Sequence, residues 1–416
     1  MRVGGAMRRT FSALSIANYR RYFVGQSISL IGTWTQTTAQ SWLVLTLTRS
    51  PTDLGFVVAL QMLPILLVGP YGGVIADRVN KRRLMVVLQS MMGVQALALG
   101  VLTLTHHVTY VDVCTLAVVL GLNNCFENPS RQAFVLEMVG PADLRNAVSL
   151  NSTLVNVARA VGPAVAGLMI AAVGTGWCFV LNATSFVAVV ASLMRMDRSK
   201  LQPTAPSSRR RGQLIEGVRY VARTPELGVP LIMMGLVGML TFEFQVTLPV
   251  VAQHVFHGGS ETYGLMTAAM GTGAVVGGLV TATRGKTGMA AMVTAVAGFG
   301  VFMVFAAAAP VIGIEFLALA LVGYASISFL VMVNSTLQLN ADPQMRGRVL
   351  ALWAVAYLGS TPVGGPLIGW ITADAGARAG LGVGALACLL AAGIGIVALR
   401  GLHGRLPHRN EVSASE

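Results

Sequence analysis

The chain has 416 residues, of which 54% are hydrophobic and only 11% carry a charge. Soluble domains carry about 25% charged residues, so this composition excludes a water-soluble protein and indicates a polytopic membrane protein. The formal net charge of +13 is basic enough for a nucleic-acid partner. Basic loops between membrane spans give the same total, so we expect no nucleic-acid binding.

Apolar segments long enough to cross a bilayer recur along the whole chain. A span needs about 20 mostly apolar residues, and twelve segments meet this requirement. The sequence therefore predicts an all-α fold of twelve transmembrane helices. In chain order, the predicted spans are 22–47, 54–76, 84–106, 111–138, 145–172, 175–195, 228–252, 262–283, 288–309, 312–338, 347–373 and 377–399.

The positions of the 29 lysines and arginines indicate the topology. If the N-terminus is cytoplasmic, all but four of them fall in cytoplasmic segments. Arg49 and Arg378 fall outside, whereas Arg131 and Arg159 lie within spans. Basic residues are retained on the cytoplasmic side, so we expect both termini in the cytoplasm. The N-terminal stretch lacks the short apolar core and cleavage site of a signal peptide.

A long polar interval at 196–227 divides the chain into two domains. We expect one six-helix bundle at 1–195, a second at 228–400 and a cytoplasmic tail at 401–416. Within the interval, "QLIEGVRYVARTPE" follows a basic stretch and has apolar residues on one helical side. This pattern predicts a short amphipathic helix in a cytoplasmic linker, placed at the headgroup surface.

The two halves of the chain resemble each other. Span 5 reads "RNAVSLNSTLVNVARAVGPAVAG" and span 11 reads "RVLALWAVAYLGSTPVGGPLIGW". The same interval separates their first arginines, Arg145 and Arg348, and their Gly-Pro pairs, Gly162-Pro163 and Gly365-Pro366. Internal duplication is typical of secondary transporters. The repeat therefore predicts two pseudo-symmetric six-helix bundles.

The stretch "GGVIADRVNKRR" at 72–83 resembles the signature that follows span 2 in the major facilitator superfamily, Gly-x-Leu-Ala-Asp-Arg-x-Gly-Arg-Lys. A longer stretch, "ENPSRQAFVLEMVGPADLRNAVSLNS", with "ARAVGPAVAG" and "EGVRYV", is similar to an exporter branch that includes enterobactin exporters and macrolide or multidrug efflux pumps. Asn80 departs from the signature glycine, and Ala166 stands where the exporter motif often has glycine. The gating-motif residues are Gly73, Asp77, Arg78, Lys81 and Arg82.

The resemblance implies a transporter whose two bundles alternate between inward-open and outward-open states. It implies that Asp77 latches the halves on the inner side, close to Arg346 and Arg348 at the start of span 11. Asp77→Asn would then favour the inward-open state and slow turnover. The resemblance also implies a helix-packing motif, formed by Gly162, Pro163, Gly167, Gly365 and Pro366.

Ionisable side chains inside spans cost about 3 kcal/mol each on insertion scales, so each is a functional candidate. Glu243 has no basic neighbour in the sequence and Glu127 lies in span 4, and both are candidates for proton coupling. Glu127 and Arg131 are four residues apart, so they share a helical face and form either a transport site or a structural pair. Arg159 needs an anionic partner, for which Glu127 is the first candidate.

Polar side chains inside spans either line a water-filled cavity or form hydrogen bonds between helices. In span 1, glutamines recur at helical spacing. Span 10 offers an asparagine at the position equivalent to Arg131. The candidates for the substrate cavity are Gln36, Gln40, Asn124, Arg131, Arg159 and Asn334.

The sequence contains no legible catalytic constellation, metal-binding spacing or phosphate-binding loop. We therefore expect no enzyme activity, no cofactor and no metal, with the proton gradient as energy source. The predicted function is secondary active efflux of a small amphipathic drug, siderophore or metabolite by proton antiport. The alternatives are an importer of the same fold and a non-transporting receptor or assembly factor. We expect a monomer among the lipids of a bacterial plasma membrane.

Overall fold

The computed structural model describes residues 11–202, 213–284 and 288–403, apart from the side chains of 70–78, 213–215 and 402–403. Regular structure within these ranges is entirely helical, which confirms the all-α expectation. The helices are α1 Ala17–Thr48, α2 Pro51–Arg78, α3 Lys81–Leu104, α4 Tyr110–Val173, α5 Thr175–Met194, α6 Gln213–Arg223, α7 Pro225–Leu240, α8 Phe244–Val250, α9 Ser260–Arg284, α10 Met289–Ala308, α11 Ile312–Asn340, α12 Arg346–Leu358, α13 Thr361–Asp374 and α14 Ala377–His403.

The number of membrane spans follows from these lengths. In the described part of the chain, ten helical segments are long and apolar enough to cross a bilayer. One of them is α4, whose 64 residues would extend about 96 Å as a single rod. Gly140 breaks α4 into two arms, with φ 71° and ψ 173°. The second arm, together with the more polar 32-residue α1, completes the twelve predicted spans.

Local capping chemistry sets the short connections between spans. The Ser50 hydroxyl accepts a hydrogen bond from the Asp53 N–H at 3.2 Å at the start of α2. The Asn80 side chain accepts from the Arg83 N–H at 3.0 Å at the start of α3. Such caps satisfy backbone donors that a helix start leaves unpaired. They therefore fix where each span begins at the membrane surface.

Two spans that the sequence predicts as continuous, 228–252 and 347–373, are broken. Residues 241–243 separate α7 from α8, and Val251–Val255 forms a π-helical turn beyond α8. Gly359 and Ser360 separate α12 from α13, whose first turn contains Pro362. A proline has no N–H to extend the preceding helix, and it suits a helix start. The mean hydropathy of each segment stays high enough for a single span despite its break, so it gave no sign of the breaks.

The two halves of the chain pack in the same order. In the first half, α1 packs on α4 and α5, α2 packs on α4, and α3 packs on α5. In the second half, α7 packs on α12 and α14, α9 packs on α11, and α10 packs on α14. Each contact in one half has its counterpart in the other, so the fold consists of two pseudo-symmetric six-helix bundles.

The bundles meet where α2 contacts α13 and where the second arm of α4 contacts α9. A Cβ atom added to Gly365 would lie 2.8 Å from the Gly55 carbonyl oxygen. A Cβ atom added to Gly264 would lie 2.8 Å from the Gly167 Cα atom. Glycines thus let the backbones touch. These contacts lie near the span ends that the charge distribution assigns to the outside.

The described parts of the linker contact both bundles. The Gln202 N–H donates to the Glu137 carbonyl oxygen at 2.9 Å, beside the break in α4. Helix α6 contacts the second bundle, where Glu216 pairs with Arg348 at 2.9 Å. The amphipathic helix was correctly predicted. It contacts α12 and α7 and its Val221 is buried, while its expected place at the headgroup surface stays a prediction.

Two further contacts hold α6 in this place. The Tyr220 hydroxyl donates to Asp342 Oδ2 at 3.0 Å and accepts from the Asp342 N–H at 3.2 Å. Glu216 is largely exposed, so its ion pair alone contributes about 0–1 kcal/mol. The Tyr220 hydroxyl therefore adds two hydrogen bonds between α6 and the loop before α12.

We expect Gly55→Ala to destabilise the protein by about 1–3 kcal/mol, because the new methyl group would collide with the α13 backbone. Gly235→Ala is the matched control, since a Cβ atom there meets nothing within 4 Å. Thermal unfolding of the detergent-solubilised protein measures both variants. If the two changed the midpoint equally, the close contact between α2 and α13 would not stabilise the structure.

Candidate transport site

Gln36 lies buried at the centre of a hydrogen-bonded chain inside the first bundle. Its Nε2 donates to Gln95 Oε1 at 3.1 Å, and its Oε1 accepts from Asn182 Nδ2 at 2.7 Å. Gln95 donates in turn to the Leu116 carbonyl oxygen at 3.3 Å. Because lipid supplies no hydrogen-bond partners, this chain of amides joins α1 to α3, α4 and α5.

Gln40 has a similar environment one turn further along α1. Its Nε2 donates to Gln61 Oε1 on α2 at 3.2 Å. Gln36 and Gln40 are only 3% and 6% exposed. The structure therefore places both glutamines between helices, which was the alternative to the expected cavity-lining role.

Glu127 and Arg131 form the ion pair that their spacing predicted. Glu127 Oε1 lies 3.1 Å from Arg131 Nε and accepts from Gln89 Nε2 at 3.3 Å. Arg131 Nη2 donates to Asn128 Oδ1 at 3.0 Å. Asn124 is half-buried, and its carbonyl oxygen accepts from the Asn128 side chain at 3.3 Å. The Glu127 charge is thus balanced inside its own bundle.

Arg159 has a different partner from the one predicted. Its guanidinium carbon lies 5.1 Å from the centroid of the Trp34 ring on α1, which is a cation–π contact. The expected pairing with Glu127 was wrong, because that carboxylate binds Arg131. The Arg159 Nε–H is buried and has no hydrogen-bond partner in the described structure.

Glu243 lies at the break between α7 and α8 and is only 3% exposed. Its carboxylate lies beside α13 of span 11. A Cβ atom added to Gly364 would be 3.0 Å from Oε1, and one added to Gly365 would be 3.7 Å from Oε2. The Thr361 side chain is its polar neighbour, while Oε1 has no hydrogen-bond partner among the described residues. The carboxylate thus occupies the gap between two broken spans.

A cluster of aromatic rings from span 7, α10 and α12 includes Phe242, the residue before Glu243. The Phe242 ring lies 5.1 Å from that of Tyr357 and 5.7 Å from that of Phe299, both in tilted edge contacts. The Trp353 ring lies 5.7 Å from Tyr357. Sequence reasoning missed this cluster, because an aromatic residue in a span gives the same signal as ordinary core packing.

Asn334 lies on α11 and is half-buried. Its Oδ1 accepts a hydrogen bond from Gln338 Nε2 one turn later, and Gln338 is exposed. This polar pair lies near the inner end of α11. Asn334 is therefore more accessible than Gln36 and Gln40, and it stays a candidate for contact with substrate.

Two members of the gating motif are deeply buried at the start of α3. Lys81 Nζ lies 2.8 Å from Glu137 Oε1 on α4. The Arg82 guanidinium donates to the carbonyl oxygens of Leu193 and Met194, at 2.7 and 3.0 Å, where the unpaired carbonyls at the end of α5 attract a cation. The sequence analysis identified Lys81 and Arg82 as members of the motif, but it did not identify Glu137 as the partner of Lys81. The side chains of Gly73, Asp77 and Arg78, and hence the expected latch, lie outside the described residues.

The helix-packing motif lies at close contacts between spans. A Cβ atom added to Gly162 would meet the Ile31 carbonyl oxygen of α1 at 3.0 Å, and one added to Gly167 would meet the Ser260 carbonyl oxygen of α9 at 2.8 Å. Pro163 lies beside Gly264 of α9. In the second bundle, Gly365 and Pro366 face α2 at Gly55.

Sequence reasoning missed one further embedded acid, Glu315 in the first turn of α11. It is completely buried, and neither carboxylate oxygen has a hydrogen-bond partner in the described structure. Arg378 is its charged neighbour and donates to the Ala309 carbonyl oxygen at 2.8 Å. A single acid near a span end has no periodic pattern to reveal it. Across the described ranges, no cluster of three or more potential metal ligands occurs.

Twelve spans in two glycine-packed bundles, with ionisable groups held inside the membrane, are typical of transporters built from internal repeats. The sequence profile of the transmembrane secretion effector family matches residues 8–412. The chain therefore belongs to that family, within the major facilitator superfamily.

Several characterised relatives are similar over most of this chain. The multidrug efflux pump Tap of Mycolicibacterium fortuitum is 28% identical over 81% of this chain and 85% of its own length. The enterobactin exporter EntS of Salmonella typhimurium is 23% identical over 85% and 86%, respectively. The staphyloferrin A transporter of Staphylococcus aureus is 27% identical over 62% of this chain and 66% of its own length.

The solved structures confirm the fold. A bacterial homologue of the human lysosomal transporter Spinster, in an inward-facing conformation, superposes with a TM-score of 0.73. It is 13% identical, and the match covers 93% of this chain and 97% of that one. The nucleoside transporter NupG gives a TM-score of 0.68 at 12% identity, over 93% of this chain and 98% of its own.

We expect Arg131→Met to destabilise the protein by about 3–5 kcal/mol, because Glu127 would remain as a buried charge without its partner. The double variant Glu127→Gln/Arg131→Met should recover much of that loss. Unfolding of the two single variants and the double variant in detergent gives the coupling free energy. Additive effects would show that the pair contributes nothing beyond its separate residues.

Proposed function

We propose that this protein exports a small amphipathic organic molecule from the cytoplasm, in exchange for protons. Relatives named as exporters, for a siderophore and for several drugs, support the direction and the substrate class. The distribution of basic residues supports cytoplasmic termini. In this proposal the protein works as a monomer in the plasma membrane, and the proton gradient drives transport without a cofactor.

The position of Glu243 is the observation that carries the proposal. It is buried within the membrane in a gap between two broken spans, and no lysine or arginine in the described structure pairs with it. A carboxylate in such a place costs several kcal/mol, whereas the neutral acid costs far less. Binding and loss of one proton therefore change the energy of this region strongly. Glu127 is the weaker candidate, since Arg131 already balances its charge.

The position of Glu243 between two broken spans also couples proton binding to movement of the bundles. Glu243 lies beside Gly364 and Gly365, and Gly365 packs against Gly55 of the opposite bundle. Separation of α2 from α13 would open a route for water from the outside to the carboxylate. Protonation there makes closure favourable, because the neutral acid tolerates burial. Proton loss to the inside then accompanies substrate loading, which completes the exchange.

The contacts between the bundles fit one state of this cycle. The glycine contacts join α2 to α13 and α4 to α9 near the outer ends of the spans. This arrangement corresponds to a transporter closed on the outside, in which substrate enters from the cytoplasm or the inner leaflet. Rocking of the bundles would break these contacts and form others on the inner side.

The energy available is sufficient for such work. A membrane potential supplies about 2.3 kcal/mol per charge for each 100 mV. One proton entering at about 150 mV therefore supports a gradient of a few hundredfold for a neutral solute.

We expect Glu243→Gln to abolish uphill export while leaving downhill movement of substrate intact, because the amide cannot exchange a proton. The assay uses proteoliposomes with an imposed pH gradient and a panel of amphipathic fluorescent compounds that are negative, neutral or positive. Glu226→Gln is the matched control, since Glu226 is exposed at the start of α7. Uphill export by Glu243→Gln at the wild-type rate would remove Glu243 from the coupling step. Accumulation in the uptake direction would contradict export.

A further inference from the structure

We propose that Arg159, held against Trp34, binds the negatively charged group of the exported molecule, so that the substrate is an organic anion. This inference rests on the proposed transport function and adds the charge of its substrate. Arg159 lies in the second arm of α4, where that arm crosses α1 and α9. A Cβ atom added to Gly271 of α9 would lie 2.9 Å from the Arg159 carbonyl oxygen. The residue thus lies where the two bundles meet.

The charges inside the spans leave Arg159 without a counter-ion. Arg131 is neutralised by Glu127 at 3.1 Å. Glu315 has Arg378 as its charged neighbour. No carboxylate of the described residues lies within 4.0 Å of the Arg159 guanidinium. An arginine remains protonated in proteins, and the described chain supplies no counter-ion for the positive charge of this half-buried side chain.

The contact with Trp34 positions the guanidinium but gives its Nε–H no hydrogen-bond acceptor. The guanidinium carbon lies over the indole ring, 5.1 Å from its centroid, and a ring face accepts no in-plane hydrogen bond. The buried Nε–H points along that plane and has no partner among the described residues. A planar fork of N–H donors matches the two oxygens of a carboxylate, or those of a phosphate or sulfonate.

The local backbone also fixes where this donor points. Gly162, one turn after Arg159, lets α4 approach α1 closely enough that an added Cβ atom would meet the Thr35 N–H at 3.2 Å. The Thr35 hydroxyl donates to the Gly162 carbonyl oxygen at 3.1 Å. These contacts hold the Arg159 turn against the Trp34 turn, so the guanidinium is positioned before any ligand arrives.

The charge of the substrate determines the net charge that each exchange moves across the membrane. When a monovalent anion leaves and one proton enters, two charges move in the direction that an inside-negative potential favours. A neutral substrate would move one charge, and a monovalent cation would move none. The sign of the substrate can therefore be measured as current, independently of its identity.

The test uses three probes that share one ring system and differ in charge: 1-naphthoate, 1-naphthamide and 1-naphthylmethylammonium. Binding to the full-length protein in nanodiscs is followed by quenching of tryptophan fluorescence. We expect the anion to bind at least about tenfold more tightly than the amide, which is 1.4 kcal/mol. Arg159→Gln should remove this preference, and Arg159→Lys should keep part of it.

Arg284→Gln is the matched control, because Arg284 is exposed at the inner end of α9 and loses the same charge. It should leave the preference for the anion unchanged. Equal binding of all three probes by the wild type, or an unchanged preference in Arg159→Gln, would overturn the proposal. The wild-type comparison decides the question even if Arg159→Gln does not fold.

Failure of this proposal can be told apart from failure of the transport function. Proton-driven export of the neutral or cationic probe, unaffected by Arg159→Gln, would overturn the anion site and leave the exporter intact. Export of 1-naphthoate accompanied by an inward current that Arg159→Gln abolishes would support both. An absence of proton-driven movement across the probes and the amphipathic panel would overturn the proposed function itself.

Discussion

The lack of water inside a bilayer governs every polar group in this protein. A buried amide or charge there must find its partner in the chain, or it remains costly. Gln36 meets this demand with Gln95 and Asn182. Glu127 meets it with Arg131. Among the described residues, Arg159, Glu243 and Glu315 each keep a buried polar atom without a hydrogen-bond partner. Glu315 has Arg378 as a charged neighbour, whereas Arg159 and Glu243 have no oppositely charged side chain within 4.0 Å.

The same constraint explains the mixture of rigidity and movement in the fold. Within the first bundle, amide hydrogen bonds join α1 to its neighbours, and each one would be costly to break. Between the bundles, the contacts are mostly backbone against backbone at glycines such as Gly55 and Gly167. Contacts of that kind depend on close fit and leave few polar groups unpaired when they separate. Rocking of two stiff bundles is the motion that this distribution permits.

Much of the fold could be predicted from the sequence, because length, hydropathy and charge act over whole segments. Twelve spans, the internal repeat and the amphipathic linker helix all follow from such patterns. The breaks at 241–243 and 359–360 could not be predicted, because the segments around them are apolar enough on average to be taken for continuous spans. Helix α1 shows the opposite difficulty. Its glutamines lower its mean hydropathy, although it packs against the neighbouring helices as a span does.

The site was harder to predict than the fold, because partner choice depends on rotation and tilt between helices. The i,i+4 spacing of Glu127 and Arg131 determines their pairing within one helix, so the sequence revealed it. The partner of Arg159 lies on α1, far away in sequence, and the choice between Glu127 and Trp34 needs three-dimensional information. Glu315 went unnoticed because a single acid near a span end has no periodic pattern. The rings of Phe242, Phe299 and Tyr357 went unnoticed because they give the same signal as core packing.

The linker also sets a limit on how far the protein can open. Gln202 is bonded to the first bundle and α6, which begins at Gln213, is attached to the second. The chain between these anchors can reach at most about 36–40 Å even when fully extended. While both anchors hold, the distance between them cannot exceed this length. The separation of the two bundles on that side is therefore bounded by chain length as well as by helix packing.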